Sequence, residues 1–429
     1  MLQHWLARWP NQIFQLRLSW NLLIFALIFL TPTHFFLVLD RTAGYVNGVQ
    51  IDYLVPKLYL VVCIAAAILC WWLWFFKPWK VWRWSILIQH RWTTSLVVAC
   101  IIAQLSAAQP SIAFWFLTQA ALLIFSGWLL VKNRSLLYKN TLISAVSATT
   151  IFQVSIALWQ WTQQQSLLGY ALLGEVDFNR YLGLAKTTHG AEWILPYGTT
   201  AHPNVLGGFL AIMGLGMVAV YLRQQKKQAL SVWKQKWLWF MSVVAMAGIL
   251  LTQSAAALLT FSLGSSILII QTTTSFAQYF KIGGFQLLLY LVVLLCIPIG
   301  IAQAGNALDP SWQRRIFLNQ VATQMIVEAP ITGVGLNHFT LQLESFSVSR
   351  EFVRFIQPAH HTLLLYMAET GTVGMALLLF GLWKLVSRQS LSPIYWGLIP
   401  VLALDHYLLT MPVGVLSISL LAVVTAEYY

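Results

Sequence analysis

The feature that most constrains the fold is a series of apolar stretches, each about 20 residues long. A transmembrane helix needs roughly 20 mostly apolar residues to cross a bilayer. The predicted spans lie near residues 19–39, 55–76, 93–109, 112–131, 141–162, 203–222, 237–252, 255–271, 285–302, 360–383, 394–411 and 413–427. Only 9% of the 429 residues are charged, against roughly 25% in soluble domains. We therefore predict an all-α, polytopic transmembrane bundle of about 12 helices.

Basic residues predict how the spans are oriented. With the N-terminus in the cytoplasm, 17 of the 25 Lys and Arg residues fall in cytoplasmic segments, and no acidic residue falls in a cytoplasmic loop. Cytoplasmic loops of membrane proteins carry an excess of Lys and Arg. Both termini are therefore expected in the cytoplasm. The net charge of +13 follows from this distribution and forms no single basic patch, so membrane lipids rather than nucleic acids are the expected surroundings.

The lack of repeats and of low-complexity tracts is most simply explained by one membrane domain over residues 1–429. The four cysteines lie in apolar stretches without Cys-x-x-Cys or Cys/His spacing, so neither a zinc site nor a disulfide framework is predicted. No repeat of 20–50 residues and no low-complexity tract occurs.

Two outer loops, near residues 163–202 and 303–359, are too long to be simple connectors, which usually have about 2–8 residues in helical bundles. The second loop contains an amphipathic helical pattern between helices 9 and 10, over Trp312–Glu328. Its apolar positions are Ile316, Phe317, Val321, Met325 and Ile326. This helix is expected to lie in the membrane interface and to end before Ala329-Pro330, where a turn over 332–335 follows.

A first polar cluster, Tyr197–Asn204, precedes the sixth predicted span and includes His202. The free amides at a helix N-terminus favour an anion such as phosphate. Alternatively, Asn204 and its neighbours only cap the helix. The residues alone leave both interpretations open.

A second cluster consists of arginines in the outer loop 303–359. Its members are Arg314, Arg315, Arg350 and Arg354. They oppose the general bias toward cytoplasmic basic residues, and a guanidinium matches the geometry of phosphate oxygens. The alternative is that they bind lipid headgroups or pair with acidic residues of the same loop.

The third cluster, Pro358–Gly371, lies where this loop enters the tenth predicted span. A histidine there, His360 or His361, could accept a proton from an alcohol near neutral pH. The pair could also bind a metal, but no acidic residue accompanies it at ligand-like spacing. Glu369 lies about nine residues deeper, and a buried carboxylate is either structural or functional. Asp405–His406, in the eleventh predicted span, poses the same question.

Taken together and in order, these clusters resemble the O-antigen ligase and O-antigen polymerase superfamily, membrane glycosyltransferases of the GT-C type. The matching residues are Gly198–Asn204, Arg315 before Pro330–Gly335, His360–His361, Glu369, Gly371 and Asp405–Tyr407. The resemblance runs from the sixth predicted span to the C-terminus and covers the first five only by topology.

The resemblance implies a metal-independent, inverting transfer of a glycan from an undecaprenyl-diphosphate carrier to the hydroxyl of a glycan, lipid or protein acceptor, without a cofactor. It places the reaction at the outer face of the bacterial cytoplasmic membrane. His360 would be the general base and Arg315 would stabilise the departing diphosphate. Further substrate-binding candidates are Arg314, Arg350, Arg354, Arg180, His202, Asn204, His361 and Glu369.

The chain departs from the family pattern at three places. Leu195–Tyr197 lacks the usual arginine before the Gly-Thr turn, Ala255 follows Ser254 where an arginine is common, and His361 replaces an asparagine. Either Arg180 or Lys186 substitutes for the missing charge, or the replacement comes from Arg314, Arg350 or Arg354.

A transporter or flippase of lipid-linked glycans is the alternative function. Transporters usually expose charges near the bilayer midplane and are often built from two related halves. Here the charges cluster in the outer loops and no two halves repeat, which favours the enzyme.

Overall fold

The computed structural model describes residues 10–76, 91–105, 107–138, 140–179, 183–187, 192–227, 231–272, 310–346, 356–388 and 393–427. These residues are mostly helical. The helices are α1 (Pro10–Leu30), α2 (Leu60–Phe76), α3 (Arg91–Gln104), α4 (Pro110–Lys132), α5 (Thr141–Gln163), α6 (Tyr170–Leu173), α7 (Pro203–Lys227), α8 (Val232–Thr252), α9 (Ala255–Thr272), α10 (Pro310–Glu328), α11 (Phe339–Phe346), α12 (Thr362–Arg388), α13 (Ile399–Leu404), α14 (Tyr407–Thr410) and α15 (Pro412–Glu427). Short 3-10 helices cover Arg134–Leu136 and Pro393–Leu398.

Two small antiparallel strand pairs lie between α1 and α2. Strand β1 (Phe36–Val38) pairs with β4 (Lys57–Tyr59), and β2 (Tyr45–Val46) pairs with β3 (Val49–Gln50). The segment between α1 and α2, residues 31–59, therefore contains regular structure that the hydropathy pattern does not reveal.

Five described helices, α4, α5, α7, α8 and α12, contain stretches long and apolar enough to cross a membrane. Shorter apolar helices accompany them within α1, α2, α9, α15 and residues 394–404. The predicted multi-pass helical architecture is confirmed, whereas the count of about 12 spans stays a prediction. The predicted ninth span, near residues 285–302, lies outside the described residues.

The predicted first span, 19–39, was placed too far along the chain. Helix α1 ends at Leu30, and a strand begins at Phe36. Pro32 explains the early end, because the residue before a proline disfavours helical geometry and proline itself has no N–H to donate.

The predicted eleventh span, 394–411, is not one continuous helix. The backbone leaves helical geometry at Asp405, with φ −150° and ψ 166°, before α14 begins. The freed carbonyl of Asp405 accepts a hydrogen bond from Thr362 Oγ1 (2.5 Å), and its Oδ1 accepts one from the His406 amide (2.7 Å). Irregular backbone in a membrane protein is tolerated where protein groups satisfy it.

Helix α7 forms the centre of the bundle and packs against α8, α9 and α15. Its span is 94% buried. Gly208 lets the phenol of Tyr407 pack directly against the α7 backbone, at the place where any other residue would have its Cβ. The start of α7 is therefore held next to the break between α13 and α14.

Helix α10 is the predicted amphipathic helix, and it ends at Glu328 as expected. Its buried face consists of Leu318, Val321, Ala322 and Met325. These residues pack against α11 and the start of α12, while Ile316 remains 41% exposed. Much of the predicted apolar stripe thus contacts protein, and the placement of α10 in the membrane interface stays a prediction.

The predicted turn after α10 pairs with an opening in α12, which we call the Gly371 opening. Val334 N donates to Ala368 O and Gly335 N to Glu369 O, both at 2.9 Å. In return, Thr372 N donates to Pro330 O at 2.8 Å. The turn therefore fixes the end of α10 against α12.

Glycine makes this pairing possible, because Gly371 has φ +60° and ψ −164° within α12. A Cβ there would overlap the carbonyl of Ile331. Left-handed geometry of this kind is nearly exclusive to glycine.

We predict that Gly371→Ala lowers the free energy of unfolding by about 2 kcal/mol or more, because it combines backbone strain with a steric clash. The matched control is Gly381→Ala on the same helix, where an added Cβ meets no atom within 4 Å. Thermal unfolding of the detergent-solubilised variants measures the difference. Equal melting temperatures for the two variants would contradict this account of the Gly371 opening.

Candidate functional site

One residue from each of the three predicted clusters, His202, Arg315 and His360, lies near the break between α13 and α14. The ring centroids of His360 and His406 are 5.4 Å apart. The charges of Arg315 and Asp405 influence both His202 and His360, so these groups share one electrostatic environment. Residues far apart in the sequence thus form one group, which we call the histidine cluster: His202, Arg315, His360, Asp405 and His406.

His360 belongs to an extended segment that leads into α12. Helix α12 begins at Thr362, whose hydroxyl donates to the carbonyl of Asp405. This bond ties the start of α12 to the α13–α14 break, so His360 lies beside Asp405. The adjacent His361 accepts a weak hydrogen bond from the amide of Leu364 (3.3 Å) and lies against the helix start.

Two polar atoms of the histidine cluster are buried without a hydrogen-bond partner among the described residues. They are Nδ1 of His360 and Nε of Arg315. Buried polar atoms in proteins are nearly always satisfied by protein, water or a ligand. Water, a ligand or residues outside the described part of the chain would satisfy these two atoms.

The pKa of His360 lies well below its usual value of 6.5. Burial is the main cause, followed by the neighbouring ring of His406, while the carboxylate of Asp405 opposes the shift and Arg315 adds to it. The imidazole of His360 is consequently neutral near pH 7 and can accept a proton.

His202 is the residue that caps α7. Its carbonyl accepts from the amides of Val205 (3.0 Å) and Leu206 (3.1 Å), and its Nδ1 accepts from Asn204 N (3.1 Å). Of the residues around Asn204 that were predicted to cap the helix, His202 makes the capping bonds. Because Nδ1 accepts, the neutral ring carries its proton on Nε2, which remains a donor.

Two glutamines of α5 position the Gly-Thr turn before α7. Gln160 Oε1 accepts from the amides of Tyr197 (2.9 Å) and Gly198 (2.8 Å), and its Nε2 donates to Gly198 O (2.9 Å). Gln153 Nε2 donates to Thr199 Oγ1 (2.7 Å), and its Oε1 accepts from Thr199 N (3.0 Å). Sequence reasoning missed both residues, although their seven-residue spacing places them on one face of a helix.

Glu175 extends this support into the outer loop 163–202. Its buried carboxylate accepts from Gln160 Nε2 (2.8 Å) and from the amides of Leu167 (2.7 Å), Leu168 and Gly169 (2.8 Å). The carboxylate therefore adds a second attachment of this loop to α5, beside the bonds of Gln153 and Gln160 to residues 197–199.

The carboxylate of Glu369 also accepts hydrogen bonds from groups of the protein itself. It is 2% exposed, and its Oε1 accepts from Tyr53 Oη and Phe339 N, both at 3.0 Å. Asn337 Nδ2 in turn donates to the carbonyl of Tyr53. Of the two interpretations of Glu369, the structural one fits these contacts. Through Tyr53, the segment between α1 and α2 is joined to α12.

The structure places the remaining predicted site residues as follows. Arg314 is half-buried on α10, next to Arg315. Asn204 lies in the first turn of α7. Arg180, Arg350 and Arg354 lie outside the described residues.

Comparison with known protein families identifies a match over part of the chain. Residues 240–379 match the family described as O-antigen ligase. The matched segment runs from α8 into α12 and contains Arg315, the turn over 330–335 and His360. No curated protein matches the chain significantly. The resemblance predicted from the residues is therefore confirmed.

We predict that Gln160→Leu destabilises the protein by roughly 2–4 kcal/mol, because it leaves several buried backbone and carboxylate groups without partners. The matched control is Gln163→Leu, on the same helix but exposed. Thermal unfolding in detergent compares the two. Equal stability of both variants would show that the glutamine does not hold the Gly-Thr turn.

Proposed function

Because residues 240–379 match the family described as O-antigen ligase, we propose that the chain transfers a glycan from an undecaprenyl-diphosphate carrier to an acceptor hydroxyl. The acceptor is a glycan, a lipid or a protein. The observation that carries this proposal is the convergence of His360, Arg315 and His202. A base and a positive charge at one place are what such a transfer requires.

His360 acts as the general base. The acceptor oxygen attacks the anomeric carbon, its proton passes to the neutral imidazole, and the bond from the anomeric carbon to the diphosphate breaks. A single displacement of this kind inverts the anomeric configuration. General bases with a well-placed ring contribute roughly 10²–10⁴-fold to a rate.

Arg315 stabilises the diphosphate as it leaves with the bonding electrons. Its half-buried guanidinium is held on α10, and the unpartnered Nε supports a direct bond to a phosphate oxygen. His202 Nε2 supplies a second donor nearby. Since side chains provide this positive charge, we propose a reaction that needs no metal.

The other predicted substrate contacts remain part of this proposal. Arg314 adds charge on α10, and Asn204 and His361 lie at the starts of α7 and α12. Arg180, Arg350 and Arg354 are candidates for the arginines that the family pattern would place elsewhere. Glu369 acts by accepting the hydrogen bond from Tyr53 Oη rather than by contacting the substrate.

The proposed location is the bacterial cytoplasmic membrane, with both termini in the cytoplasm and the histidine cluster at the outer face. The distribution of basic residues supports this orientation. A donor built on the carrier lipid reaches an outer site after it has crossed the membrane. Residues 1–429 would act as one membrane domain.

We expect His360→Ala and Arg315→Ala each to lower the rate of transfer by about 100-fold or more, because one loses the base and the other the charge on the leaving group. Arg315→Lys should recover part of the rate, since it keeps the charge but loses the planar fork. Purified protein, the carrier-linked glycan and an acceptor are incubated, and products are followed by mass spectrometry.

Arg17→Ala, an exposed arginine on α1, serves as the control and should transfer like the wild type. Transfer by His360→Ala at the wild-type rate would refute the proposed base. Movement of labelled lipid across liposome membranes without any transfer would favour the flippase alternative.

The low pKa of His360 predicts an unusual pH profile. The ring stays neutral as the pH falls through 6.5, so kcat/KM should not drop there as it would for an ordinary histidine. The pH dependence of kcat/KM reports the pKa values of the free enzyme, so kcat/KM should fall only at lower pH. A fall in kcat/KM centred near pH 6.5 would contradict the assignment of a buried, neutral His360 as the base.

A further inference from the structure

The fold brings together three side chains that have metal-ligand chemistry. One ligand atom each from His360, Asp405 and His406 lies within 4.8 Å of the others. The sequence alone argued against a metal at His360–His361 because no acidic partner had suitable spacing. The break between α13 and α14 supplies that acid from 45 residues further along the chain.

Two imidazole nitrogens and one carboxylate oxygen form a ligand set that zinc uses when it keeps an open fourth position. Such ligands bind at about 2.0–2.2 Å, so they stand roughly 3.3 Å apart around a tetrahedral ion. The present spacing, at most 4.8 Å, would therefore need to close by about 1.5 Å or less. Nδ1 of His360 is buried and has no partner among the described residues.

The hydrogen bonds around His406 prepare it to be a ligand. The hydroxyl of Thr410 donates its single proton to His406 O (3.1 Å). With the hydroxyl proton used in this way, the contact of 2.8 Å between Thr410 Oγ1 and His406 Nδ1 is donated by the ring. In this tautomer Nε2 of His406 carries the lone pair, as in metal sites where a second hydrogen bond orients the ring.

Asp405 is held in place in the same way. Its Oδ1 accepts from the His406 amide, and its carbonyl accepts from Thr362. The carboxylate is 6% exposed and provides the negative charge that a cation needs there. It also offsets part of the repulsion between a bound cation and nearby Arg315. Because the rest of that repulsion remains, we expect the ion to bind reversibly.

We propose that His360, Asp405 and His406 bind a single Zn²⁺ ion, or a similar transition-metal ion, and that this ion inhibits the transferase. The inhibitory part of the inference depends on the proposed role of His360 as the base. A neutral imidazole has one nitrogen with a lone pair. If the ion occupies that nitrogen, the other carries the proton, and the ring can no longer accept a proton from the acceptor.

Binding of the metal alone tests the site without any glycan. Full-length protein in detergent is freed of metal and titrated with Zn²⁺ by calorimetry and with Co²⁺ by visible absorption. We expect one ion per chain for the wild type and for His361→Ala, whose ring is outside the ligand set. His406→Ala and Asp405→Asn should bind about 100-fold more weakly, as loss of a ligand or its support does elsewhere. Thermal unfolding without metal checks that both variants are folded.

Each outcome decides one part of the inference. If the wild type binds neither ion at one per chain, or if His406→Ala binds as tightly as the wild type, the site does not exist. Zn²⁺ should suppress transfer by the wild type, and a chelator should restore it. If Zn²⁺ binds but transfer continues unchanged, inhibition is refuted. If Zn²⁺ binds while His360→Ala transfers like the wild type, the site stands and the proposed function fails.

Discussion

The backbone pairing between the turn over 330–335 and the Gly371 opening is the interaction on which the candidate site depends. In the bilayer an unpaired amide or carbonyl costs several kcal/mol, so a helix can open only where another segment satisfies it. The turn after α10 does this for α12, and in return it is fixed in place. Because Arg315 lies on α10 and His360 just before α12, this pairing restricts how far apart the two can be.

Groups with chemical roles lie where the chain departs from regular helix. The break at Asp405 exposes a carbonyl that Thr362 satisfies, and this bond brings His360 to the carboxylate. The Gly-Thr turn before α7 is irregular as well, and Gln153 and Gln160 satisfy its backbone. Regular apolar helices supply the scaffold, while buried polar side chains supply the exact positions of the functional residues.

Sequence reasoning recovered what depends on local pattern. Hydropathy predicted the membrane helices, and Pro330 predicted the end of α10. The break at Asp405 was missed because an averaged hydropathy window does not respond to one polar residue among apolar ones. The contact of Tyr53 with Glu369 joins residues 316 positions apart, and no local pattern encodes such a contact. Gathering of the histidine cluster likewise depends on tertiary packing.

If the proposed function is right, a carrier diphosphate binds against Arg315 beside the neutral His360. A cryo-EM structure of the protein in lipid nanodiscs with undecaprenyl diphosphate bound tests this directly. We expect phosphate oxygens within hydrogen-bond distance of the Arg315 guanidinium, with His360 adjacent to the position of the anomeric carbon. Phosphates bound away from both residues would contradict it.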